Sequence, residues 1–325
     1  MIGRRSFALL ALPLAIAAFA TTGCKRKPTE AAAPEGTPFT LVLNWVPEPE
    51  FGGFYAAHEA GAFAKEGLRV TIKPGGPGVP SLQMVATGQA DAGITGADEL
   101  LLAREHGADV VPIFAVYQHN PQAIMTKADR GVQNLADVLS RGTLAIEPGL
   151  PYALFLKRKY GFDKVQVTTY DGGIARLLIE SDYAQQCYLT SEPLAAKRKG
   201  VATKVFPISA EGYDPYGAVV IVRRETLEKH PEKVAAFVRA AQAGWAEYLA
   251  APLAANKVMN ALNSTMDLDT FAAAAEAQKS LIETDETHAN GLGSMTTARW
   301  TALRTTLTSL DLLTKPSRFD GWILH

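Results

Sequence analysis

Residues 39–72 read FTLVL-NWVPEPEFG-GFYAAHEAGAFAKE-G-LRVTI, and this stretch decides the fold class. Its first five residues alternate apolar and β-branched side chains, which predicts a strand over 39–43. Residues 53–66 place Phe54, Tyr55, His58 and Phe63 at helical spacing, and Gly67 supplies a C-cap. Residues 68–72 alternate again and predict a second strand. A strand, a helix and a strand in so short a span form the parallel unit of an α/β protein.

Outward from this unit the alternation continues, with helices over 81–87 and 97–105 and strands over 90–95 and 110–117. It restarts after Gly131: helices over 135–139, 152–160 and 174–180, strands over 143–146, 165–169 and 184–189, and a further strand over 219–222. From Glu225 onward the pattern is helical, over 225–229, 231–249, 254–262, 268–280 and 296–310. Two successive α/β units with a helical tail predict two lobes, 39–127 joined with 219–325 and 128–218, with crossovers near Met125-Thr126 and Ala218-Val219. One large doubly wound sheet is the competing architecture.

The chain's start carries a different signal. Arg4 and Arg5 precede an apolar run over 7–20, too short for the roughly 20 residues of a membrane-spanning helix and suited to a secretory leader. Thr21-Thr22-Gly23-Cys24 resembles the bacterial lipobox, which implies a signal peptide over 1–23 and a lipidated Cys24. The paired arginines also resemble a twin-arginine export signal. Residues 24–38, rich in Ala, Pro, Glu and Thr, are expected to be a flexible tether. These features together predict a protein lipid-anchored on the periplasmic side of a bacterial membrane.

Composition narrows the class. A formal net charge of -1 argues against a nucleic-acid partner. With 47% hydrophobic residues, the roughly 285 residues left after the leader and tether can build one large or two mid-sized cores. Only two cysteines are present, Cys24 and Cys187, so lipidation of the first leaves no intramolecular disulfide. The six histidines have no metal-ligand spacing, and no nucleophile-elbow motif occurs. No cofactor or metal is expected.

Four segments then carry a family resemblance. Asn44-Trp45-Val46-Pro47-Glu48-Pro49-Glu50-Phe51-Gly52-Gly53-Phe54-Tyr55-Ala56-Ala57 resembles the W-x-P-N-x-x-H-x-G-x-Y-x-A signature of thiamine-pyrimidine-precursor-binding proteins. Gly61-Ala62-Phe63-Ala64-Lys65-Glu66-Gly67-Leu68-Arg69-Val70 resembles the G-x-F-x-x-E-G-L-x-V segment shared with alkanesulfonate- and taurine-binding proteins. Residues 88–93 resemble their G-x-x-D-x-G turn, and residues 184–193 the second-lobe segment ending in Ser191-Glu192-Pro193. The resemblance implies a type II periplasmic-binding-protein fold with a ligand between lobes. It also implies ABC permease and ATPase partners. It does not fix the ligand, because the family spans sulfonates, pyrimidines, flavins and other small heterocycles. The expectation is a monomeric carrier of a thiamine-precursor-like or flavin-like heterocycle. Alternatives are an alkanesulfonate or taurine carrier, a pyrimidine-synthase-like enzyme, or a ligand sensor. Phe51 stands at the signature's histidine, Glu48 at its asparagine, and the synthases' cysteine cluster is missing, so no catalysis is expected.

The candidate ligand contacts follow from position. Trp45 lies past the end of the first strand, where crevices of α/β sheets bind ligands, and its indole can stack on a flat ring. Glu48 can accept hydrogen bonds from an amino-heterocycle, whereas Glu50 is expected to be solvated. Tyr55 at a helix start and Tyr117 at a strand end offer ring faces and hydroxyls. Tyr188 and Glu192 close the 184–193 segment, where a carboxylate ahead of Pro193 would face the cleft. Asp171-Gly172-Gly173 and the Gly75–Gly78 run are expected mainly as turns, the latter in the cleft wall.

Overall fold

A computed structural model of the chain describes residues 36–314. The expected leader, Cys24, the tether up to residue 35 and residues 315–325 lie outside the described residues. Among the described residues the strands are β1 (Thr37–Val42), β2 (Leu68–Lys73), β3 (Ala92–Thr95), β4 (Val110–Tyr117), β5 (Gln122–Lys127), β6 (Thr143–Ala145), β7 (Gln166–Thr168), β8 (Tyr183–Tyr188), β9 (Thr203–Pro207) and β10 (Gly217–Arg223).

They form two sheets of five, ordered β2-β1-β3-β10-β4 and β7-β6-β8-β5-β9. The two orders correspond strand for strand. In each, three strands run parallel, and the fourth in the order runs antiparallel to both of its neighbours. Each antiparallel strand is the first one laid down after the chain arrives from the other sheet. Two sheets, rather than one doubly wound sheet, is therefore the architecture, with the helical C-terminal segment packed on the first.

The crossings differ from the expected positions in one respect. β5 pairs with β8 and β9, so the chain changes sheets over residues 118–121, ahead of the expected boundary at 127/128. The apolar run of β4 followed closely by that of β5 conceals the change in sequence, because both strands are buried almost throughout. The return runs over 208–216. Arg299, from the helix Thr297–Ser309, donates to the carbonyls of Gln118 and Asp214 and so ties both crossings to the C-terminal segment.

The expected tether also ends early. Thr37 and Pro38 already pair with Leu68 and Arg69, and the Thr37 N–H donates to the Gly67 carbonyl at 2.8 Å. Proline is tolerated at a strand start, and here β3 reaches only Leu41 and Val42, leaving that flank of Pro38 unpaired.

The helix predicted over 53–66 is two, Gly52–Glu59 and Ala62–Lys65, because Gly61 between them adopts a left-handed φ of 68°. Gly52–Glu59 packs on the long helix Pro231–Ala250 with almost no separation. A Cβ on Gly53 would lie 2.2 Å from the Trp245 ring, and one on Gly244 would lie 2.2 Å from the Gly53 carbonyl. Around this contact Phe39 stacks on Phe237 at 4.7 Å, and Phe54 meets Trp245 edge to face at 5.8 Å. Each such buried aromatic contributes roughly 1.5–3 kcal/mol. The helix Asp285–Asn290 escaped the sequence reading, as did two further elements. β9 is half-buried along its length and shows no alternation, and the helix Glu192–Arg198 is only seven residues long.

Candidate ligand cleft

The carboxyl ends of β1, β3, β6 and β8 open onto one cleft of about 990 Å³. Both sheets contribute to it, as expected for crevices beyond the ends of parallel strands.

From the first sheet comes the loop after β1, carrying Asn44, Trp45, Glu48 and Glu50. Packing forces its shape. Gly75 lies so close that a Cβ would sit 2.3 Å from the Leu43 carbonyl, and its N–H donates to the Trp45 carbonyl at 3.0 Å. The C-terminal helical segment grips the loop's far end. Asn263 donates to the Pro47 carbonyl at 3.2 Å, and Gln278 to the Pro49 carbonyl at 3.0 Å. Residues Pro49–Phe51 then form one tight turn that brings Glu50 into the cleft wall.

From the second sheet come Tyr188 and Glu192. The Tyr170 hydroxyl donates to one oxygen of Glu192 at 2.6 Å, and the Tyr188 N–H to the other at 2.7 Å, so this carboxylate is held in one orientation. Beside it, Gln186 accepts from the Tyr152 hydroxyl at 2.5 Å and donates to Glu147 at 2.7 Å.

The electrostatics of the cleft are one-sided. Burial, then the nearby Glu192, pushes the Glu48 carboxyl up to about 7, against a lowering contact with the Trp45 side chain. Burial, then Glu48 and Glu192, pushes Glu50 up to about 8. Burial also raises Glu192, opposed by its hydrogen bonds from Tyr170 and Tyr188. Among the described residues no group of three or more His, Cys, Asp or Glu is arranged to hold a metal ion. Two polar atoms in the lining lack protein partners, Asn44 Oδ1 and Gln122 Nε2.

Of the six residues expected to contact ligand, Trp45, Glu48, Tyr188 and Glu192 meet in this cleft. Trp45 is 38% exposed and Tyr188 39%, so both rings present open area to it, one from each sheet. Tyr55 and Tyr117 do not line it. Tyr55 is buried in the core on the helix face that packs inward. Tyr117 ends a strand buried at every position, and its hydroxyl donates to Gln278 at 2.8 Å. Because Gln278 also holds Pro49, Tyr117 supports the carboxylate loop from behind. Glu50, expected to be solvated, is in the cleft wall because the tight turn after Pro49 rotates it inward. Glu99, Glu147, Tyr170 and Gln122 also line the cleft and were not anticipated. The one available signal was a polar residue, Gln122, opening an apolar strand.

Two sheets of matching strand order, with a shared cleft beyond their carboxyl ends, define the periplasmic-binding-protein fold. The solved periplasmic aliphatic sulphonate binding protein SsuA from Escherichia coli has this fold. It superposes with a TM-score of 0.67 at 15% identity, over 90% of this chain and 96% of that one. The chain belongs to the NMT1/THI5-like family, which it matches over residues 48–255. It is similar to the riboflavin-binding protein RibY of Chloroflexus aurantiacus, 28% identical over 69% of this chain and 67% of that protein. It is also similar to the formylaminopyrimidine-binding protein of Halalkalibacterium halodurans, 26% identical over 96% of each.

Proposed function

We propose that this chain is the extracytoplasmic solute-binding component of an ABC importer, whose cargo is a small flat nitrogen heterocycle. The observation that carries this reading is the meeting of Trp45 and Tyr188, one from each sheet, with Glu48, Glu50 and Glu192 in a single cleft. The rings supply stacking faces, and the carboxylates accept from ring amino groups. The names of the two curated relatives, a riboflavin binder and a formylaminopyrimidine binder, support the same ligand class.

The cycle follows from the two crossings. Cargo touching both sheets favours their approach, to the extent that it binds the closed arrangement better than the open one. The closed form then docks on the permease. A carrier rather than a catalyst is favoured by Phe51 at the signature's histidine and by Cys187, a buried thiol held well above its ordinary value by burial. Anchoring through a lipid on Cys24, export by the leader and a monomeric state belong to this proposal. Intact-mass measurement of the membrane-extracted protein reads the lipid directly.

Thermal-shift titration with aminopyrimidines, flavins and sulfonates tests the cargo. Aminopyrimidines or flavins are expected to raise Tm, and sulfonates to leave it unchanged. Stabilisation by sulfonates alone, at concentrations well above saturation, overturns the heterocycle assignment.

A further inference from the structure

We propose that the cleft takes its cargo as a cation, a protonated amino-heterocycle or a ring bearing an ammonium group, and that Glu99 turns anions away by filling the anion-binding helix start in the cleft wall. The proposal rests on the reading of this cleft as the cargo site and adds the charge state that the site selects.

The composition of the lining is the first observation. Glu48, Glu50, Glu99, Glu147, Asp171 and Glu192 face the cleft, and among the described residues no lysine or arginine does. His106 is the one basic residue in the lining among the described residues. None of the six carboxylates makes an ion pair among the described residues, although Lys and Arg elsewhere pair freely with surface acids. Carboxylates gathered in a partly buried cavity without counter-charge either hold protons, as Glu50 does in the empty cleft, or favour a ligand that brings its own positive charge and displaces them.

The helix Ala97–Glu105 is the second. It is nine residues long and begins at the cleft, where Thr95 and Glu99 are both in the lining. Free N–H groups at such a start attract anions. Here those of Gly96, Ala97 and Glu99 are taken. Glu99 accepts from the Gly96 N–H at 3.0 Å and from the Thr95 hydroxyl at 2.8 Å. Asp98 accepts from the Glu99 N–H at 2.9 Å and from the Tyr213 hydroxyl at 2.6 Å, and the Ala97 N–H donates to the Tyr216 carbonyl at 3.3 Å. The protein's own carboxylates thus occupy the place an anionic ligand would need, and leave negative charge there.

The third observation points to the ligand's other edge. Gln122 is only 8% exposed, lies in the cleft lining at the start of β5, and its Nε2 has no partner. A buried amide donor left unpaired is costly, so a cargo acceptor is expected opposite it. A ring nitrogen or carbonyl opposite a cationic amino edge fits both requirements.

The test uses the mature chain and two readouts. The first is calorimetric titration at neutral pH with three aminopyrimidines of one shape, bearing an aminomethyl, a hydroxymethyl or a carboxylate group at the same ring carbon. The aminomethyl compound is expected to bind at least about ten-fold more tightly than the hydroxymethyl one, with the carboxylate weakest. Equal binding of the first two, or binding of the carboxylate as tight as either, overturns the proposal. The second readout needs no cargo. Fluorescence quenching by caesium and by iodide is measured on the protein and on W45F, and the difference isolates Trp45. Relative to free tryptophan, caesium is expected to quench Trp45 more than iodide does, and E48Q/E192Q to remove the preference. Iodide quenching equal to or above caesium overturns the proposal. If none of the three pyrimidines binds, the aminopyrimidine form of the cargo fails, the thermal-shift titration with flavins and sulfonates decides the cargo class, and quenching alone still decides the charge.

Discussion

Asp214 and Asn120 stand in the two separate crossings between the sheets, and the Asn120 N–H donates to Asp214 Oδ1 at 2.7 Å. The other oxygen of Asp214 meets His119 Nδ1 at 2.8 Å, and Arg299 lies 3.7 Å from it. One side chain therefore ties the outward and return passages together. Replacing it leaves the Asn120 N–H without this acceptor, at a cost of roughly 1–3 kcal/mol. D214A is expected to lower Tm by about 2 °C or more per kcal/mol lost. Hydrogen exchange at Asn120 should accelerate in the variant, and unchanged exchange there would show that the tie does not restrain the crossings.

The buried Gln278 is expected to matter for binding without touching cargo. It receives the Tyr117 hydroxyl and donates to the Pro49 carbonyl, fixing the loop that carries Glu48 and Glu50. Q278A leaves two buried polar groups without this partner and is expected to cost about 2–4 kcal/mol, read by urea unfolding. Cargo affinity should fall as well. Y117F keeps the ring and loses one hydrogen bond, so its loss should be smaller, roughly 1 kcal/mol.

Removing a stacking face separates binding from stability. Trp45 is 38% exposed, so W45A is expected to leave Tm nearly unchanged while weakening a ring ligand by about 2- to 12-fold, as an aromatic contact of roughly 0.5–1.5 kcal/mol implies. Y188A should behave in the same way from the other wall. A large Tm loss in W45A, by contrast, would mean that its ring packs the loop rather than the cargo.

Glu50 sets a pH dependence of the cargo-free protein. Its carboxyl is raised from the ordinary 4.5 to about 8 by burial and by the facing Glu48 and Glu192. Between those values the folded chain holds a proton that the unfolded chain has released. Stability from this group is therefore present at low pH and is lost as pH rises through the folded value. Unfolding midpoints are expected to fall from about pH 5 to about pH 8, and E50Q to flatten that slope. A slope identical in E50Q and the parent would place the linkage elsewhere.

The contact between Gly53 and Trp245 predicts a packing variant. A methyl at Gly53 would meet the indole at 2.2 Å, and the ring is fully enclosed. G53A is expected to destabilise by roughly 1–3 kcal/mol through overpacking, measured as a lower Tm.

Much of the architecture was legible because period and punctuation agree. The helix Ala97–Glu105 and the strand Val110–Tyr117 match their expected bounds residue for residue. The cleft positions of Trp45, Glu48, Tyr188 and Glu192 were legible for a geometric reason, since each follows or ends a strand whose carboxyl end faces the crevice. Tyr55 and Tyr117 were misplaced because a residue near an element's end shares that position without sharing its direction. Glu50 was misread because a carboxylate between a proline and a phenylalanine looks solvated until the one-turn helix Pro49–Phe51 is known. Glu99 was hidden by its role. A glutamate three residues into a helix reads as an ordinary cap, and only the cleft's position gives it a bearing on selectivity.

The exchange of antiparallel strands has a consequence for biogenesis. β10 lies between β3 and β4, so the first sheet is missing an interior member until residue 223 has been made. An emerging chain can complete the second sheet, residues 122–207, while the first is still in two pieces. Pairings separated by more than a hundred residues are slow to form. The N-terminal half therefore stays unclosed through most of synthesis, and the last sheet to be completed is the one whose first strand was made earliest.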